Sequence, residues 1–154
     1  MDMPQLSEAH RKLQRLAGSW TGDETIHPSP WDPQGGPATG RVENRSVLGG
    51  FIVVQDYEQQ RGGRISFEGH GIFRYDAVKR DYVLHWFDSF GMPPNEFRGE
   101  FEGDVLTMTA RDHQGYSRAT FDFGEADRYA FRMEVSPDAE SWSMVVEGSY
   151  FRVD

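Results

Sequence analysis

The spacing of apolar residues changes once along this chain. Leu6, Ala9, Leu13, Leu16 and Ala17 recur at helical spacing, with Ser7 placed to cap the first turn and Gly18 placed to end the last. This predicts one short amphipathic helix over about residues 6–17. Beyond Gly18 the period drops to 2, the signature of strands with one face inside and one outside.

The alternating runs read as ten strands: Ser19–His27, Thr39–Val47, Phe51–Gln59, Arg64–Tyr75, Asp81–Asp88, Asn95–Glu102, Val105–Arg111, Ser117–Phe123, Arg128–Val135 and Trp142–Arg152. Turn chemistry separates them at Gly49-Gly50, Gly62-Gly63, Gly103-Asp104, Gly124 with Asp127, and Ser136-Pro137-Asp138. Connections this short make neighbours in sequence neighbours in space, and so long a meander removes its exposed edges by closing. The expected fold is all-β: a ten-stranded antiparallel up-and-down barrel over about 19–152 with a short N-terminal helix, one domain over 1–154.

Two connections break the rhythm. The segment His27 to Ala38 holds four prolines and reads as a structured loop or lid. Phe90-Gly91-Met92-Pro93-Pro94 interrupts the middle of the sheet, and Met92 there is a candidate rim contact for a ligand.

Alternation selects the side chains that face inward. Trp20, Gly22, Glu24 and Ile26 share the inner face of the first strand. On the next hairpins the inner set reads Phe51, Val53, Gln55 and Tyr57, then Gly71, Phe73 and Tyr75 facing Tyr82, Leu84, Trp86 and Asp88, with Gly71 leaving space for the Trp86 indole. Phe97, Gly99 and Phe101 follow, then Tyr129, Phe131 and Met133, then Trp142, Met144, Val146 and Tyr150. The opposite face of the central hairpin carries His70, Ile72, Arg74, Val83, His85 and Phe87, and a patch of Ile72, Val83 and Phe87 offers a homodimer contact.

Composition sharpens this picture in three ways. The 11 Phe, 6 Tyr and 4 Trp concentrate the apolar volume in flat rings suited to lining a wide interior. A net charge of −9 without a local basic run argues against nucleic acid and anionic membrane as partners. Without cysteine there is no disulfide, thiolate metal site or cysteine nucleophile. Met1 to Leu16 lacks the apolar core of a signal peptide and no window approaches a membrane span, so a cytoplasmic protein is expected.

The stretches LAGSWTGDE, LGGF, GHGIFRYD, HWFDSFGMPP and EGSYFR, in that order, resemble the calycins: lipocalins, fatty-acid-binding proteins and nitrobindin-like barrels. They are most similar to an uncharacterised bacterial family of calycin-like proteins, over nearly the whole chain. The resemblance implies a barrel that binds a ligand inside. It also implies, from the lipocalins, that Arg152 lies over Trp20 and closes the barrel floor, a structural pair. Haem, implied by nitrobindin through a histidine close to the C-terminus, is left as an alternative that the residues argue against, because no histidine follows His113.

The resulting candidate ligand-binding set is Glu24, Gln55, Phe73, Trp86, Asp88, Met92, Phe131, Met133, Met144 and Tyr150. Small-molecule pockets have this mixture of apolar wall and few polar groups. Glu24 and Asp88 are also candidate acid–base groups for an isomerase or cyclase, or else acceptors of structural hydrogen bonds, with Arg118 available to neutralise one of them if it faces inward. His70 and His85 form a weak alternative metal pair across their hairpin. No cofactor is expected, and Ser29, Ser89 and Ser117 lie in no nucleophile-elbow context.

Overall fold

The computed structural model describes residues 3–153, leaving Met1, Asp2 and Asp154 of the expected domain outside the described residues. Helix α1 (Glu8–Leu13) follows Ser7, whose extended backbone donates its N–H to His10 Nδ1 at 3.1 Å. One turn of 3₁₀ helix, Gln14–Leu16, continues it. The helical segment thus starts later than expected, with Leu6 largely exposed ahead of it and packed beside Gly50.

Ten antiparallel strands follow: β1 (Gly18–Ile26), β2 (Gly36–Val47), β3 (Ile52–Arg61), β4 (Arg64–Asp76), β5 (Asp81–Asp88), β6 (Asn95–Glu102), β7 (Val105–Asp112), β8 (Gly115–Glu125), β9 (Arg128–Ser136) and β10 (Ser143–Val153). Each pairs with its neighbours in sequence, and β1 pairs with β10 to close the barrel. The central hairpin has the expected register, with Tyr75 opposite Tyr82, Phe73 opposite Leu84 and Gly71 opposite Trp86.

Helix α1 plugs one end. Leu13 and Leu16 are fully buried with Trp20, Phe73, Tyr82 and Phe97 in one aromatic-rich core. The plug is tied by polar contacts: the Trp20 indole N–H and the Asn44 amide both donate to the Leu16 carbonyl, at 2.9 and 2.8 Å, and the Tyr82 hydroxyl donates to the Ala9 carbonyl at 2.8 Å. Arg152 lies 4.2 Å above the Trp20 ring and donates to the Ala17 carbonyl. Gly18 does not cap the helix; it begins β1 at φ +132°, and a β-carbon there would meet the Arg152 guanidinium at 2.2 Å.

Three expectations need correction. Gly36 to Ala38, including Pro37, pair with β1, so the proline-rich loop is confined to residues 27–35. A β-bulge between Met144 and Val146 inserts a residue into β10, and this turns Met144 and Trp142 outward. Met144 then lies over an outer groove with Thr25 and Arg132, and Trp142 stacks under Arg118 at 4.0 Å. Arg118 is therefore outside, paired with Glu134 at 3.0 Å, and neutralises neither interior carboxylate. Finally, Val83 is fully buried on the outer face between Arg74 and Arg98, so the Ile72–Val83–Phe87 patch shrinks to a partly covered Ile72 and an exposed Phe87.

Candidate ligand cavity

The helix closes one end of the barrel, and the other holds a cavity of about 440 Å³ beneath the 27–35 loop. Its walls come from the inner faces of nearly every strand. Trp86, Phe97, Phe121, Phe131, Met133 and Tyr150 supply apolar surface, and Gln55, Tyr57, Gln59, Asp88, Asn95 and Ser117 supply polar atoms.

Trp86 is placed by two glycines and a carboxylate. A β-carbon on Gly69 would come within 2.2 Å of the indole, and one on Gly71 within 3.3 Å, so the ring lies flat on bare backbone. Its N–H donates to Asp88 Oδ2 at 2.9 Å, while Asp88 Oδ1 accepts the Phe90 N–H at 3.0 Å. Asp88 therefore fixes both the indole and the first residue of the Phe90–Pro94 loop, and it remains on the cavity wall.

Glu24 is 3 % exposed and stands behind the wall. The Tyr57 hydroxyl donates to its carboxylate (2.8 and 2.7 Å to the two oxygens), the Gln59 amide donates to Oε1 at 3.1 Å, and the Tyr150 hydroxyl donates to Oε2. Space for this cluster comes from Gly40, where a β-carbon would meet Glu24 Oε2 at 2.5 Å and the Tyr150 ring at 2.8 Å. Burial and then the Glu24 charge push the Tyr57, Tyr129 and Tyr150 hydroxyls well above the ordinary phenol value, so all three stay protonated. Proton exchange between Glu24 and a molecule in the cavity would have to pass through Tyr57 or Tyr150.

Gln55 differs from these groups. It is 6 % exposed and lines the cavity, yet among the described residues no group hydrogen-bonds its amide. Register places it beside Gly71, one inward-facing step deeper than the Tyr57–Gly69–Asp88 row.

The mouth is organised by Arg61, which ion-pairs with Asp32 and donates to the Gly35 carbonyl, stitching the 27–35 loop to the end of β3. Trp31 projects from that loop, 53 % exposed, with one side on the cavity. At the opening Phe67 and Phe90 pack with ring centroids 4.8 Å apart, their planes tilted by 55°.

Of the residues expected to meet a ligand, Gln55, Trp86, Asp88, Phe131, Met133 and Tyr150 converge on this cavity. Phe73 lies below it, fully buried against Phe121, and Glu24 lies behind it. Met92 is 53 % exposed and off the wall; Phe90 takes the rim position instead. Met144 is outside altogether. Gln59, Arg61, Asp32 and Phe90 were not foreseen as site residues; carrying the Gln55-Tyr57 alternation two residues further would have found Gln59. His70 lies 2.7 Å from Asp56, and His85 accepts from Arg74 at 3.0 Å, both on the outer face.

A closed ten-stranded antiparallel barrel with one helical plug defines a calycin-like protein. The chain belongs to the DUF1579 family, described as a protein of unknown function, whose model matches residues 5–152. No curated protein matches it in sequence. Among solved structures it resembles Rv2717c from M. tuberculosis, with a TM-score of 0.74 at 14% identity over 97% of this chain and 100% of that one. It also resembles the S-type phycobiliprotein lyase CPES from Guillardia theta, with a TM-score of 0.64 at 10% identity over 98% and 99%. At these identities the likeness is one of fold.

Proposed function

We propose that this protein binds a small, largely apolar or aromatic molecule in the cavity between the 27–35 loop and the Glu24 cluster. The observation that carries the reading is an aromatic-walled space of about 440 Å³ onto which an unpartnered buried amide, Gln55, faces. Small-molecule sites combine this volume with a few oriented polar groups. The phycobiliprotein lyase supports the reading only in that a protein of that name uses the same architecture. Binding is favoured over acid–base chemistry because Glu24 is sealed behind the wall by its three donors, and Asp88 is tied to the Trp86 indole and the Phe90 N–H that it holds in place.

The test is titration of the full chain with the neutral fluorophore N-phenyl-1-naphthylamine. Saturable uptake at one site is expected, with quenching of Trp86 emission. Ala119 is fully buried on the cavity wall, and Ala119→Leu should occupy the space and abolish uptake. Absence of saturable uptake by the unaltered protein would overturn the proposal.

A further inference from the structure

The charges around the cavity are unbalanced, and this narrows the class of ligand. Asp88 is on the wall and is satisfied only by neutral donors, an indole N–H and a backbone N–H. Glu24 behind it is satisfied only by two phenols and an amide. Every hydrogen bond that these two carboxylates make among the described residues is thus with a neutral partner. Among the described residues Arg61 is the one basic side chain on the wall, and its guanidinium is held by Asp32 and the Gly35 carbonyl at the mouth. Two interior carboxylates thus lack a cationic partner among the described residues.

The rings of Tyr57, Trp86, Phe121, Phe131, Tyr129 and Tyr150 line the same cavity. Aromatic faces attract cations and repel anions, and the attraction grows when water is excluded. Gln55, more than nine-tenths buried and unpartnered, adds a carbonyl oxygen that can accept from an N–H donor, one step deeper than Asp88. Each Asp88 oxygen keeps spare acceptor capacity beyond the one bond it accepts among the described residues.

Resting on the binding reading above, we infer that the ligand is a cation: an aromatic or apolar molecule carrying a protonated amine or similar N–H-bearing positive group, held between Asp88, Gln55 and the aromatic walls.

Three probes with one apolar body separate the possibilities: 1-naphthylmethylammonium, neutral 1-naphthylmethanol and 1-naphthoate, each titrated calorimetrically into the full chain. The ammonium should bind about tenfold tighter than the alcohol, and the carboxylate more weakly than either. Asp88→Asn should reduce the ratio of ammonium to alcohol affinity to about one, whatever it does to the two affinities together. Equal binding of ammonium and alcohol, or a preference for the carboxylate through Arg61, would overturn the inference while leaving the cavity as a binding site. Failure of all three to bind would overturn the binding reading as well. The ranking on the unaltered protein needs no variant, so it stands even if Asp88→Asn disturbs the Trp86 indole.

Discussion

Glu24 illustrates how a buried carboxylate can serve the wall of a site without being part of it. Its donors are Tyr57, Gln59 and Tyr150 from β3 and β10, strands on either side of the β1–β2 pair, so the cluster pins the seam where the barrel closes. Glu24→Gln replaces one acceptor oxygen by a donor that must face a phenol or an amide. Urea unfolding should show a loss of about 1–3 kcal/mol, the usual cost of one unsatisfied buried polar group. Unchanged stability would mean the cluster is not structural. Gly69 offers a second test, because an added methyl would collide with the Trp86 indole at 2.2 Å. Gly69→Ala should displace the ring from Asp88, red-shift its emission and destabilise the fold by about 1–3 kcal/mol.

At the scale of elements, the 27–35 loop and β10 decide what the cavity can admit. The loop is held to the barrel by Arg61 and closed on itself by the Asp32 side chain, whose Oδ1 accepts the Gly35 N–H at 3.0 Å. Arg61→Ala should free the loop. Stopped-flow measurement with N-phenyl-1-naphthylamine is expected to show faster association and dissociation, with a smaller change in affinity. Unaltered rates would show that the loop does not gate the mouth. In β10 the bulge has a comparable effect by different means: one inserted residue brings Val145 and Val146 to the wall and sends Met144 to the surface.

For the whole molecule, the interior phenols make alkaline stability a readout of cavity packing. Burial raises Tyr82 to about 12, and Tyr57, Tyr129 and Tyr150 are raised further by burial and the Glu24 charge. In the unfolded chain all four lose their protons near the ordinary value of about 10, whereas the folded protein keeps them. Their stabilising contribution is therefore complete below about pH 10 and is lost as pH rises from there toward the folded values. Each of the three tyrosines near Glu24 should lower stability by about 1.4 kcal/mol per pH unit in that range. Urea midpoints should fall steeply above about pH 10, with the share of tyrosinate absorbance owed to these four phenols appearing only as the protein unfolds. A native protein in which all six phenols titrate near the ordinary value would contradict an enclosed cluster.

Much of this architecture was legible in the chain itself. Period and turn chemistry depend on neighbours in sequence, and they predicted the helix, the ten strands, their order and the inner face of the central hairpin. Trp20 and Arg152 followed from the resemblance, because the two lie on the strands that close the ring. Alternation brought Gln55, Trp86, Asp88, Phe131, Met133 and Tyr150 to one interior, since a pleat fixes which side chains share a face. It could not foresee the bulge at Val145: one extra residue inverts every position before it in β10, and the cause lies in pairing with β9 rather than in β10 alone. Nor could it separate a wall residue from one behind the wall, because Glu24 and Asp88 differ only in what the far strands bring against them. Local geometry along the chain set which residues point into the barrel, except ahead of the β10 bulge, where Trp142 and Met144 turn outward. Only the tertiary structure decided how far up the helix plug and core fill it, which carboxylate is sealed by phenols, and where space is left, because those depend on side chains meeting across the ring.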